Sequence, residues 1–367
     1  MNEPNANARD DEPMDPIIDA ALARGDGWMP FDRFMDIALY TPGLGYYANA
    51  LTKFGVMPRS GSDFVTAPEL SPLFGRTLAV AVGDALSHTG TQEVWEFGAG
   101  SGALAAQLLG ALGERVARYT IVDLSGTLRE RQQRALAAWG DKVRWVSELP
   151  DAMDGVVVGN EVLDAMPVKL LARVGGKWFE RGVARAPDGS LVHADQPTDL
   201  RPPLEVPGDH DYLTEIHLPA EAFVATLAER LANGAAFFLD YGFPESEYYH
   251  PQRHMGTVMC HRGHQADGNA LADVGLKDIT AHVNFTGVAL AGQEAGMTVL
   301  GYCSQARFLL NCGLLAQMEE ADTPQRAMAA RLVHEHEMGE LFKVIGFCNG
   351  EPWDAVGFTE GDRSHTL

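Results

Sequence analysis

Apolar and polar positions recur along the chain with two different periods. Over residues 15–40 the apolar residues Ile17, Ile18, Ala21, Leu22, Phe31, Phe34, Met35 and Leu39 fall at helical spacing. Glycines and prolines then punctuate 41–72, which reads as loop and lid material. From residue 94 short β-rich runs (VWEF, YTIVDL, VRWV, VVVGN) alternate with helical runs (ALAAQLLGALGERV, TLRERQQRALAAW). That alternation predicts parallel strands joined by crossover helices, the α/β class.

The beat pauses over 168–215, where VKLLARV, KWFERGVA and SLVHA are separated by Gly-Gly and Asp-Gly turns, the pattern of a β-rich insertion. It resumes with a helical run, PAEAFVATLAERLANG, and an apolar strand, AAFFLDYG. The expected organisation is a disordered leader over 1–14, an N-terminal helical and lid segment over 15–72, a core domain over 73–350 carrying the insertion at 168–215, and a tail over 351–367. The N-terminal segment and the insertion are expected to decorate the active face.

Composition narrows the partners. The 367 residues carry a formal charge of -22, which repels a phosphate backbone, so nucleic acid is not expected as a partner. No apolar stretch approaches the length of a membrane span. The four cysteines show no C-x-x-C spacing and suggest reduced thiols. The opening MNEPNANARDDEPMDP has neither an apolar signal core nor an arginine-rich amphipathic face, so a bacterial-type cytoplasmic location is expected.

EFGAGSGA, residues 96–103, sits where a strand hands over to a helix, a position where glycines let backbone approach a nucleotide-like ligand. Gly98, Gly100 and Gly102 fit G-x-G-x-G, while Gly98, Gly100 and Ala103 also fit the dinucleotide pattern. Asp123, closing the next strand, suits the ribose hydroxyls of either cofactor. Glu96 favours S-adenosyl-L-methionine, whose amino acid end is cationic, over a pyrophosphate. Further on, GNEVLDAMPV places Asn160, Glu161 and Asp164 directly behind a buried strand.

Taken with YTPGLGYY at 40–47, SDFVTAPELSPLFG at 62–75, LDYGFP at 239–244, DITAHVNF at 278–285 and MGELFKV at 338–344, these stretches resemble the MidA-like S-adenosylmethionine-dependent methyltransferases. That family includes the mitochondrial assembly arginine methyltransferase of respiratory complex I. The likeness runs from about residue 27 to 350. It implies a class I, Rossmann-like methyltransferase sheet, S-adenosyl-L-methionine as cofactor, and methylation of an arginine on a protein partner such as a complex I peripheral-arm subunit. Ala99, Ala67 and Asn284 depart from residues usual in the family, and the last puts a carboxylate role at that position in doubt.

A guanidinium is planar, cationic and hard to deprotonate, so two acids gripping different edges would orient it and enrich the free nitrogen. Glu161 and Asp164 are the candidates for that catalytic grip; the bland alternative is a turn and a cap. Cofactor contacts are expected from Glu96, Gly98, Gly100, Gly102, Asp123, Leu124, Asn160, Thr66 and Glu69. Thr66 and Glu69 could equally form a helix entry. Tyr46 and Tyr47 are expected either to face the substrate or to pack the wall of its site. His250, His254, Cys260, His261 and His264 lack the paired spacing of a zinc site, so no metal is expected. A homodimer is compatible with this reading. Three other functions stay open: a small-molecule acceptor, an assembly factor acting by binding, and an NAD-dependent oxidoreductase.

Overall fold

The computed structural model describes residues 13–49, 66–123, 126–263 and 265–367. Leu124, His264, residues 1–12 of the leader and 50–65 of the lid stretch lie outside the described residues.

The central sheet contains β1 (Glu93–Phe97), β2 (Arg118–Val122), β3 (Val143–Val146), β4 (Met153–Asn160), β5 (Leu231–Phe243), β6 (Thr298–Ser304) and β7 (Phe342–Asn349). Across the sheet their order is 3-2-1-4-5-7-6. The first five pair in parallel, whereas β7 runs antiparallel to both β5 and β6. Parallel strands covered on both faces read as unbroken apolar runs, which is why Val156, Val157 and Val158 are all fully buried. Val156 and Val158 face a core built on the helices Pro72–Thr89 and Ala103–Leu112. Val157 faces the opposite core, on Leu218–Arg230 and Phe285–Glu294.

The order reverses between β1 and β4, and open α/β sheets bind ligands in the crevice outside the strand ends at such a point. Phe97 lies in register with Gly159, so the segments leaving β1 and β4 emerge side by side.

Two smaller sheets complete the fold. Trp28–Pro30, between helices Asp15–Arg24 and Phe31–Tyr40, pairs antiparallel with Lys177–Arg185 and so joins the inserted strands Lys169–Val174, Leu191–Pro197 and Tyr212–Ile216. Met259–Arg262, Gln265–Asp267 and Asp278–Thr280 form a three-stranded sheet. One apolar core, containing Phe34, Met35, Leu170, Val183, Cys260 and Ile279, ties all of these pieces together. The C-terminal stretch 351–367 packs on the main domain: Phe358 inserts against Phe237 and Phe308, and Trp353 donates its indole N–H to Asp84 at 2.9 Å.

Candidate active site

A cavity of about 1420 Å³ opens over the carboxyl edge of β1, β2 and β4. Glu96, Gly98, Gly100, Asp123, Thr66 and Glu69 line one part of it, and Asn160, Glu161, Asp164 and Tyr47 another. The segments that carry them lie next to one another because the strands do.

Gly98, Gly100 and Gly102 take φ values of 63°, 52° and 87°, in the region where a side chain is strained. At Gly98 a Cβ would also stand 3.0 Å from Val162 Cγ2. Gly102 caps the helix Ala103–Leu112, whose N-terminus thereby faces the cavity. Gln132 donates to Asp123 at 2.7 Å and to the Gly100 carbonyl at 3.1 Å, locking the acid against the loop. Glu96 is 2 % exposed; burial pushes its carboxyl up to about 8, with the Tyr119 hydroxyl at 2.7 Å opposing the shift and Asp123 adding to it. Thr66 precedes the short helix Ala67–Leu70, and Glu69 lies within it. Ser101 donates to Glu69, and Gln107 donates to the Pro68 carbonyl at 2.8 Å, so this helix is pinned across the glycine loop. The Thr66 side chain makes no cap hydrogen bond there.

β4 delivers the acidic turn. Glu161 adopts φ 54°, a left-handed conformation unusual for a non-glycine residue, and its N–H donates to the Leu239 carbonyl of β5 at 2.9 Å. Its side chain accepts the Asn160 amide at 3.0 Å. Burial first and the neighbouring Asp164 second raise the Glu161 carboxyl to about 8. Asp164 is 4 % exposed and raised to about 6 by burial, against the pull of the Tyr241 hydroxyl and backbone N–H groups. Its Oδ1 and the Oδ1 of Asn160 are buried without a hydrogen-bond partner. Among the described residues no lysine or arginine forms an ion pair with Glu161 or Asp164.

The walls come from the N-terminal segment and the three-stranded sheet. The Tyr47 hydroxyl donates to Asp278 at 2.8 Å, and both line the cavity. Tyr40 donates to the Ala165 carbonyl at 2.8 Å, bracing the acidic turn from the N-terminal side. Tyr46 corrects the expectation of a substrate-facing pair: it is 1 % exposed, lies outside the lining, and packs edge-on behind Tyr47 in the apolar core. Asn284 caps the helix Phe285–Glu294 by accepting the Gly287 N–H at 3.2 Å. Within the histidine-rich stretch His261 lines the cavity while Cys260 is buried in the N-terminal core. Among the described residues no three His, Cys, Asp or Glu side chains gather as metal ligands.

Sequence reasoning did not single out Asp240, Tyr241 or Asp278 as site residues. A signal for the first two was present: LDYG follows the apolar run of β5, the strand next to β4.

The model of a family of S-adenosyl-L-methionine-dependent methyltransferases matches residues 77–303. A solved structure from Burkholderia thailandensis, bound to S-adenosyl-homocysteine, is 49% identical and superposes with a TM-score of 0.93 over 96% of each chain. The chain belongs to this methyltransferase family. More distant relatives carry a narrower name. The protein arginine methyltransferase NDUFAF7 of Danio rerio is 28% identical over 86% of this chain and 82% of its own length. The Caenorhabditis elegans homologue is 26% identical over 79% and 74%.

The methyltransferase's own residues fit S-adenosyl-L-methionine. The loop at Gly98 leaves a cradle that a Cβ would fill, and Asn160, whose Oδ1 has no hydrogen-bond partner, belongs to the same lining. Asp123 stands at the end of β2 where a ribose diol is gripped. Glu96 supplies a second acidic group beside the loop.

Proposed function

We propose that this methyltransferase acts on a guanidinium nitrogen of an arginine presented by a protein. The observation that carries the reading is the buried pair Glu161 and Asp164, which shares a cavity with the cofactor loop, meets no cation among the described residues, and leaves Asp164 Oδ1 unpaired. Buried carboxylates are costly until a cation with hydrogen-bond donors meets them. A guanidinium offers both, and its planar fork matches two carboxylates approaching from different edges.

When bound, S-adenosyl-L-methionine supplies a methyl group activated by its sulfonium. Glu161 and Asp164 orient the guanidinium plane and concentrate its positive charge on the nitrogens they hold, so that the remaining nitrogen regains electron density. Acids whose pKa is raised to about 8 and about 6 are suited to accept the proton that the acceptor then releases. Tyr47, the helix Ala67–Leu70 and the small sheet wall the cavity and keep bulk water from the reacting groups. At about 1420 Å³ the cavity exceeds the roughly 300–1,000 Å³ that a single small ligand fills, so it has room for an acceptor beside the cofactor. The names of the distant relatives support an arginine acceptor.

The test is transfer of labelled methyl from S-adenosyl-L-methionine into bacterial lysate, followed by mass spectrometry. Methylarginine on a protein supports the reading, and a respiratory complex I subunit is the acceptor that the sequence resemblance implies. Label confined to small molecules, or transfer at the wild-type rate by Glu161→Gln, overturns it.

A further inference from the structure

We propose that Asp240 is the positioning residue of this acceptor site, holding the Glu161–Asp164 turn by its backbone; the assignment rests on the guanidinium reading above. Asp240 sits near the carboxyl end of β5, one residue beyond the pairing of Leu239 with Asn160. A single carboxylate oxygen, Oδ2, accepts the N–H groups of Val162, Leu163 and Asp164 at 3.1, 2.9 and 3.3 Å. Its other oxygen accepts the N–H of Tyr241 at 3.0 Å. Three consecutive N–H groups aimed at one oxygen form an anion nest. They also account for the left-handed Glu161: the chain must reverse there so that the next three amides can point back at β5.

Asp240 is 1 % exposed and meets no cation among the described residues. Lys343 is its register partner on β7, yet that ammonium is engaged by the Glu340 carbonyl and lies 5.9 Å from the centre of the Phe243 ring. The groups that face the site are therefore mostly acidic or neutral: Glu161 and Asp164 from the turn, Tyr241 from the same strand, Asp278 and Thr280 from the small sheet, Tyr47 from the N-terminal wall, and His282 packed edge-on to Tyr241. Burial, Asp164 and Glu161, in that order, raise the Asp240 carboxyl well above the carboxylate range. Asp240 is the acid whose ionisation the other two oppose, so it serves the site by geometry and not by charge. Asp240 does not line the cavity. It acts through the residues it holds.

The test uses a probe in place of the unidentified protein: 5′-deoxyadenosine tethered to an alkylguanidinium, against the same molecule with a neutral urea. Binding to the full-length wild type, Asp240→Asn and Asp240→Ala is measured by calorimetry from pH 5 to 9, with S-adenosyl-homocysteine as control. The wild type is expected to prefer the guanidinium by at least tenfold. Asp240→Ala, which releases the turn, is expected to lose most of that preference while binding S-adenosyl-homocysteine within about threefold of wild type. Asp240→Asn keeps an oxygen for the N–H groups, so it is expected to restore the preference to within about threefold of wild type. Full preference in Asp240→Ala, or a loss in Asp240→Asn as large as in Asp240→Ala, overturns the assignment alone. A wild type that does not prefer the guanidinium overturns the arginine reading and this assignment with it. If Asp240→Ala fails to fold, Asp240→Ser, whose hydroxyl is too short to reach the three N–H groups, takes its place.

Discussion

Replacing Glu161 with Gln should stabilise the ligand-free protein at neutral and alkaline pH and do little at acid pH. In the folded chain, burial and then Asp164 raise this carboxyl from 4.5 to about 8. Between those values the folded state holds a proton that the unfolded chain has released. Wild-type stability therefore falls as pH rises through the window and levels off above it. At about 1.4 kcal/mol per unit, the cost at pH 8 relative to pH 5 is on the order of 2–3 kcal/mol once water in the cavity is allowed for. Gln keeps the shape and retains an oxygen to accept the Asn160 amide, now at 3.0 Å, so the comparison isolates the ionisation. Urea unfolding of both proteins at pH 5 and pH 8 measures it: the variant's advantage should widen by about 2–3 kcal/mol between the two. Parallel pH dependences would refute the claim that Glu161 is held protonated by its surroundings. The same substitution should abolish methyl transfer while leaving S-adenosyl-homocysteine affinity within a few-fold of wild type.

Gly98→Ala combines a left-handed φ of 63° with a Cβ placed 3.0 Å from Val162, and should weaken S-adenosyl-L-methionine at least tenfold, a loss of roughly 1–2 kcal/mol by calorimetry. Asp123→Asn should weaken the cofactor by about tenfold and erase its advantage over the 2′-deoxyribose analogue, because one charge-assisted bond is worth about 1.5–3 kcal/mol; an unchanged advantage would remove Asp123 from the ribose site. Tyr47→Phe deletes the 2.8 Å bond to Asp278 and should lower unfolding stability by about 1–2 kcal/mol, read by denaturant titration.

Much of the core was legible because local pattern and tertiary role agree there. The apolar triplet Val156–Val158 has the signature of a strand covered on both faces, and that is where it lies. The glycine loop was legible because its three left-handed turns admit little else. Helix ends were less clear: PAEAFVATLAERLANG reads as helix to Gly234, yet the helix stops at Arg230 and β5 begins at Leu231, with an irregular register before Asn233. There pairing with β4 overrides local helical preference. Trp28–Pro30 was hidden inside a helical stretch because three residues carry no period, and its partner lies some 150 positions away at Gly182–Ala184. Asp240 was hidden for a different reason. Its role consists of accepting backbone N–H groups from another strand's turn, and backbone donors leave no mark in the sequence that contains them.

The division of labour in the cavity follows from that contrast. The residues proposed to meet the cofactor lie on or beside the ends of β1, β2 and β4, whose order is dictated by the sheet. Acceptor-side residues come from elements distant in sequence: the 161–164 turn, Tyr47 from the N-terminal wall, and Asp278 from the three-stranded sheet. Such a site can form only after the N-terminal helices, the insertion and the small sheet have closed on their shared core. Acid groups that repel one another before the acceptor arrives oppose that closure, and the apolar core containing Phe34, Met35, Leu170 and Ile279 offsets it. Burying carboxylates against their preference is therefore a property of the assembled walls, and on the proposed reading the advantage falls to an entering guanidinium over a neutral acceptor.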